Sequence, residues 1–140
     1  MEKKVITVAA KDENLQKVLE LAEAAMEECG CPMKLQMMTT ICLEEMAVNV
    51  FHYAYPDDPE AEKALLTVEI QEDDGFLEIT LIDSGIPYNP LEKEDPDITL
   101  SAEERGIGGL GIYMTKQKMD EVSYRYEDGK NIFTMKKRMN

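Results

Sequence analysis

Cysteine is sparse in this chain of 140 residues: three in all, at Cys29, Cys31 and Cys42. An odd number cannot all pair within one chain, and the Cys29/Cys31 spacing matches neither a two-residue redox motif nor a zinc knuckle, so reduced thiols are expected. Basic residues are scarce too, with 15 Lys and Arg against 29 Asp and Glu and a formal charge of −14. That leaves no cationic footprint for nucleic acid or anionic lipid. It does not exclude a protein partner with a basic face. Long apolar runs are also missing, since none approaches the roughly 18 residues that a membrane span requires. The N-terminal "MEKKVITVAAKDENL" has its short apolar piece broken by Lys11 and Asp12, which is not the pattern of a signal peptide. The expectation is a cytoplasmic protein.

What is present fits one globular domain over residues 1–140, with 44% apolar and 31% charged residues. "KKVITVAA" alternates as a first strand. "ENLQKVLELAEAAMEECG" places Leu15, Val18, Leu19, Ala22, Ala25 and Met26 at helical spacing, with Asp12 as a cap and Gly30 as a stop. A second helix is expected from Pro32 to about Tyr55, ended by Pro56 and the acidic run behind it. "ALLTVEIQEDDGFLEITLID" reads as a hairpin about Asp-Asp-Gly, and "EVSYRYEDGKNIFTMKKRM" as another about Asp128 and Gly129. Between them lie a long polar connection from Ser84 to Arg105 and a third helix from Leu110 to about Met119. The order β-α-α-β-β-loop-α-β-β predicts a two-layer α/β sandwich: a mixed, mostly antiparallel sheet covered on one face by about three helices.

Three polar features do not look like packing. On the second helix Met38, Cys42, Glu45, Asn49 and His52 share one stripe, because each lies three or four residues from the last. A carboxylate buried there needs a partner, a metal or a function; the alternative is that Glu45 and Asn49 form a surface pair, with Glu44 facing solvent. Asp83 ends an alternating strand and runs into "SGIPYNP", where it accepts from an amine, holds a metal or merely closes an Asp-Ser-Gly turn. Lastly, "RGIGGLGIYMTKQKMD" sets four glycines in six residues, Gly106, Gly108, Gly109 and Gly111, at a helix start. Backbone N–H groups there meet the positive end of the helix dipole and suit phosphate. A Rossmann reading fails because a polar loop precedes the cluster and a hairpin follows it. A P-loop reading fails for want of Gly-Lys-Ser/Thr. Tight helix packing without a ligand stays open.

Taken together, "EEMAVNVFHYAY", "DSGIPYNP" and "RGIGGLGIYMTKQKMDEVSYRYEDGKNIFTMKK" resemble the N, G1 and G2 boxes of the GHKL ATPases, which share the Bergerat ATP-binding fold. Within that superfamily they are most similar to the bacterial anti-sigma factor serine/threonine kinases. The resemblance implies ATP and Mg²⁺, with Asn49 as the metal ligand and Glu45 as general base toward the attacking hydroxyl. It further implies that Asp83 and Gly85 meet adenine, and that Gly106, Gly108, Gly109, Leu110 and Gly111 meet phosphate. Arg105 would neutralise the terminal phosphate, and residues 91–104 would form a lid. The partners it implies are a sigma factor, held inactive, and a STAS-type antagonist phosphorylated on serine or threonine; a homodimer is open. The other reading is a nucleotide-gated binding module without kinase activity. The chain departs from the family's His-Ala-Tyr with Tyr53-Ala54-Tyr55, and its one histidine, His52, is expected to be structural.

Overall fold

The structure, a computed structural model, describes residues 1–92 and 110–139. It contains β1 (Lys4–Ala9), α1 (Leu15–Glu28), α2 (Met33–Tyr53), β2 (Leu65–Asp73), β3 (Phe76–Asp83), α3 (Leu110–Lys118), β4 (Glu121–Glu127) and β5 (Lys130–Arg138). The strands form one sheet in the order β1-β2-β3-β5-β4. Every pairing in it is antiparallel, so no strand needs a parallel crossover.

Both hairpins turn through an Asp-Gly pair with positive φ at each residue: Asp74 (52°) with Gly75 (82°), and Asp128 (53°) with Gly129 (76°). Two successive left-handed residues make the tight turn whose twist matches that of the flanking strands. The turns fix the register, and the register decides which side chains face the helices. On β3, Leu77, Ile79, Leu81 and Asp83 are all buried, and on β5 Asn131, Phe133 and Met135 are. The opposite face carries polar pairs, Thr7 with Thr67 (2.8 Å) and Thr80 with Thr134 (3.2 Å). That alternation is what a sheet covered on one side requires.

The helices close over the apolar face. Val18, Ala22, Ala25 and Met26 of α1 and Cys42, Leu43, Met46 and Ala47 of α2 join Leu66, Val68, Ile70, Ile79 and Met135 in one core. Truncating a fully buried member such as Ile79 to alanine costs about 2–5 kcal/mol. Helix α1 ends where expected, the Cys31 and Gly30 N–H groups donating to Met26 O (2.9 Å) and Glu27 O (3.2 Å) in a Schellman closure. Its start differs from expectation. Asp12 opens a short 3-10 turn instead of capping α1, and Asn14, at the cap position, donates through Nδ2 to Ala9 O (2.9 Å). Asp12 is then free to pair with His52 Nε2 at 2.8 Å on the surface, which gives the lone histidine a structural partner. The three cysteines are free thiols. Among the described residues, no helix is long and apolar enough to cross a membrane.

Candidate functional site

Where β3 ends, its inward phase carries a carboxylate into the core layer. Asp83 is 8% exposed and stands directly across from Asn131 in the β3–β5 register. Its Oδ1 accepts from Asn131 Nδ2 (2.9 Å) and from the Gly85 N–H (2.9 Å). Burial pushes the Asp83 carboxyl up from its ordinary value, and the Asn131 amide and Gly85 N–H pull it partly back. No strand-closing turn needs a carboxylate at that depth, because an exposed Asp would make the same Asx bond without the desolvation.

Asn131 holds the site together, and the sequence reading passed over it. Its Nδ2 also donates to Ile86 O (2.9 Å), while its Oδ1 accepts from the Tyr88 N–H (3.1 Å) and from the Tyr124 hydroxyl. Both amide hydrogens and both lone pairs are thereby used. The signal was available: a polar residue in phase with Phe133 and Met135 on a half-buried strand lies on the core side and needs partners there.

A second joint fastens the segment after β3 to the end of α2. Tyr55 donates its hydroxyl to Leu65 O (2.6 Å) and accepts from the Ser84 N–H (2.9 Å), and the Ile86 N–H donates to Ala54 O (2.9 Å). Gly85 makes this approach possible. A Cβ at position 85 would collide with the carbonyl oxygen of Ala54 and lie 2.6 Å from its Cβ.

Between these joints opens a cavity of about 530 Å³. Met46, Asn49 and Val50 of α2, Leu81 and Asp83 of β3, Ile112 of α3 and Phe133 of β5 line it, with Ile86, Tyr88 and Tyr124 also on its wall. An apolar slot with a few convergent polar groups is the usual form of a small-molecule site. Its size and chemistry fit a nucleotide base: mostly apolar walls and a buried carboxylate to accept a hydrogen bond. Asn49 is half-buried on the wall, and its side-chain amide makes no hydrogen bond to another described residue, which leaves it available to a ligand or an ion. Among the described residues no group of three or more His, Cys, Asp or Glu side chains could hold a metal, and Asn49 offers a cation a single side-chain oxygen on the cavity wall. Mg²⁺ suits such a set, because it keeps few protein ligands and binds substrate phosphates.

The structure thus brings Asn49 and Asp83 to one cavity, with Gly85 shaping its rim. Glu45 sits one turn before Asn49, exposed, and Glu44 is exposed as well. No hydrogen bond joins Glu45 to Asn49 among the described residues, so the two are not a bonded pair; Glu45 does face water as that alternative expected, and it is not the buried carboxylate that the stripe allowed. Glu45 instead lies against Gly111 of α3. Leu110 is 48% exposed and, like Gly111, is not part of the cavity wall. Arg105, Gly106, Gly108 and Gly109, and all but the first two residues of the expected lid, lie outside the described residues.

Comparison with known proteins agrees with this fold. The serine/threonine-protein kinase BtrW of Bordetella bronchiseptica is 26% identical over 103 residues, which span 73% of this chain and 70% of BtrW. The serine-protein kinase RsbW of Listeria monocytogenes is 26% identical over 100 residues, 69% of this chain and 62% of RsbW. The crystal structure of the RsbU and RsbW domains of Rv1364c from Mycobacterium tuberculosis superposes with a TM-score of 0.70 at 16% identity, covering 99% of this chain and 33% of that one. The chain therefore spans somewhat under two thirds of the Listeria kinase and a third of the mycobacterial protein. The profile of the histidine kinase-like ATPase domain matches residues 8–137, almost the whole chain. With that match running through all five strands and the helices described above, the chain belongs to the histidine kinase-like ATPase domain family.

Proposed function

We propose that the protein is a cytoplasmic, Mg-ATP-dependent serine/threonine kinase that sequesters a sigma factor and phosphorylates a STAS-type antagonist of that complex. The observation that carries the nucleotide part is Asp83, buried at the floor of an apolar cavity and held in place by Asn131 and the Gly85 N–H. A carboxylate fixed there accepts from an exocyclic amine. It repels the carbonyl oxygen that guanine presents at the same edge, so the cavity selects adenine. Apolar walls from Met46, Val50, Leu81 and Phe133 hold the ring and exclude water.

Asn49, on the wall one helical turn beyond Glu45, is the residue to hold Mg²⁺ through its side-chain oxygen. The ion, when bound, supplies neutralisation of the phosphate charge that develops during transfer. Glu45 accepts the proton of the incoming hydroxyl, an assisting role in a reaction governed mainly by positioning and charge. Arg105 and the glycines at 106, 108 and 109 complete the phosphate side of this proposal. The names of the relatives, a serine/threonine-protein kinase and a serine-protein kinase, support transfer to a hydroxyl over mere nucleotide sensing.

The test begins with binding. Mg-ATP at about 100 times its dissociation constant should raise stability by about 2.7 kcal/mol, and Mg-GTP at the same concentration should do far less. Labelled Mg-ATP with candidate STAS proteins should then give phosphoserine or phosphothreonine, and Glu45→Ala should slow that transfer by about 10²-fold or more. A melting curve indifferent to Mg-ATP would remove the nucleotide site altogether. Binding without transfer would favour the nucleotide-gated module instead.

A further inference from the structure

Gly111 stands with the phosphate-facing glycines in the sequence, yet the structure gives it a different neighbour. A Cβ built on Gly111 would overlap Glu45 Oε2 and would lie 2.9 Å from both Cβ and Cδ of Glu45. Such distances do not occur between unbonded carbons, so one of the two groups must give way. The carboxylate can swing; the Glu45 Cβ is anchored to α2, so the helices would have to part slightly as well.

The helix pair is not free to adjust. One turn along α3, Thr115 is 1% exposed and its Oγ1 donates to Gly111 O (2.9 Å); the Cys42 thiol of α2, pushed up by burial, lies near enough to that hydroxyl to be pulled partly back by it. Cys42 lies one turn before Glu45 and is fully buried. Two adjacent turns of α3, at 111 and 115, therefore meet two adjacent turns of α2, at 45 and 42. The second of these contacts fixes the helix spacing at which the first has room for no methyl group.

We infer that Gly111 is a positioning residue for Glu45: the space where its side chain would be is where the Glu45 carboxylate rests, and that seat aims the carboxylate. This rests on the kinase reading for the role of Glu45, but the shared space is a matter of geometry alone. It separates Gly111 from a phosphate contact, the part the glycine cluster implied for it.

The experiment is a double-mutant cycle of Gly111→Ala and Glu45→Ala, read by thermal melting without nucleotide, by ADP affinity and by phosphate transfer at saturating ATP. Alanine is the better helix former, so Gly111→Ala should lower the melting temperature only because it meets Glu45. In the Glu45→Ala background the same change should become neutral or stabilising, a reversal that independent sites do not give. ADP affinity should stay within about threefold of wild type. Transfer at saturation should fall by about 10²-fold, and by little more when both changes are combined. If Gly111→Ala instead weakens ADP binding more than tenfold with turnover of the bound enzyme intact, Gly111 is a phosphate contact and the inference is wrong. Additive melting shifts with transfer unharmed overturn it equally. Failure of the wild-type protein to transfer phosphate overturns the kinase reading and with it the aiming role, while the melting cycle still reports whether the two residues share one space.

Discussion

Asp83 shows how one residue can be stabilised in place and yet resist its own charge. Because burial raises its pKa, the folded chain holds that proton to higher pH than the unfolded chain does. Between the ordinary value of 3.8 and the folded value, the native state thus binds more protons, and stability falls as pH rises through that window. Above the folded value the penalty is constant. Asp83→Asn keeps an oxygen for Asn131 and Gly85 but cannot ionise, so its stability should gain on wild type as pH climbs through the same window; urea midpoints at a series of pH values from about 4 to 7 read this directly. Its partner has the opposite character. Asn131→Ala deletes four hydrogen bonds and strands Ile86 O and the Tyr88 N–H in a part-buried setting. We expect a loss of about 1–3 kcal/mol in denaturant unfolding. Because the Asp83 carboxylate then keeps only the Gly85 N–H to orient it, calorimetric titration should show ATP affinity lower by about tenfold.

At the scale of elements, the second hairpin sets the geometry that those residues need. Asn131 is the second residue of β5, two positions after Gly129, and a slip of one residue would send it to the solvent face and bring Lys130 inward. Gly129 has φ of 76° with nothing within 4 Å of a built Cβ, so Gly129→Ala meets backbone strain and no collision. The expected cost is about 1–2 kcal/mol, visible as a lower urea midpoint with an unchanged slope. Both hairpins could be read from the sequence because Asp-Gly between alternating runs demands that turn; the end of α1 and the approximate extent of α2 followed from spacing and breakers. The start of α1 did not, since Asp12 and Asn14 are equally good caps by residue type, and only the nearness of Ala9 O and His52 separates them. The rotation of α2 was likewise beyond periodicity. Helix α2 is apolar on much of its surface, with Met33, Met37 and Ile41 exposed while Cys42 and Leu43 are buried, so no single stripe marks its inner face.

The whole molecule brings together what local patterns kept apart. Asp83 and Asn131 are 48 residues apart in the chain, and only the strand order, with β5 inserted between β3 and β4, sets them side by side. The polar features on α2, after β3 and before α3 pointed to one site through family resemblance. Nothing in their spacing required it, and Asn131, inside the longest stretch that carries the resemblance but apart from those three polar features, was missed. Charge also belongs to this scale. At −14, the chain should attract a basic partner at long range, so binding to the sigma factor proposed above should weaken, chiefly through a slower on-rate, as salt rises from about 50 to 500 mM. An association rate in stopped flow that ignores salt over that range would rule out steering by net charge.

The two glycines with crowded surroundings also differ in permanence. At position 85 the obstacle includes a main-chain carbonyl, that of residue 54, which remains whatever side chain that residue carries. At position 111 most of the obstacle is the side chain of Glu45. In a lineage that kept the nucleotide site but abandoned phosphate transfer, selection on position 45 would lapse, and position 111 would be released to vary with it. Position 85 would stay glycine for as long as the fold binds anything in that cavity, so the pair offers a way to tell working kinases from retired ones by sequence alone.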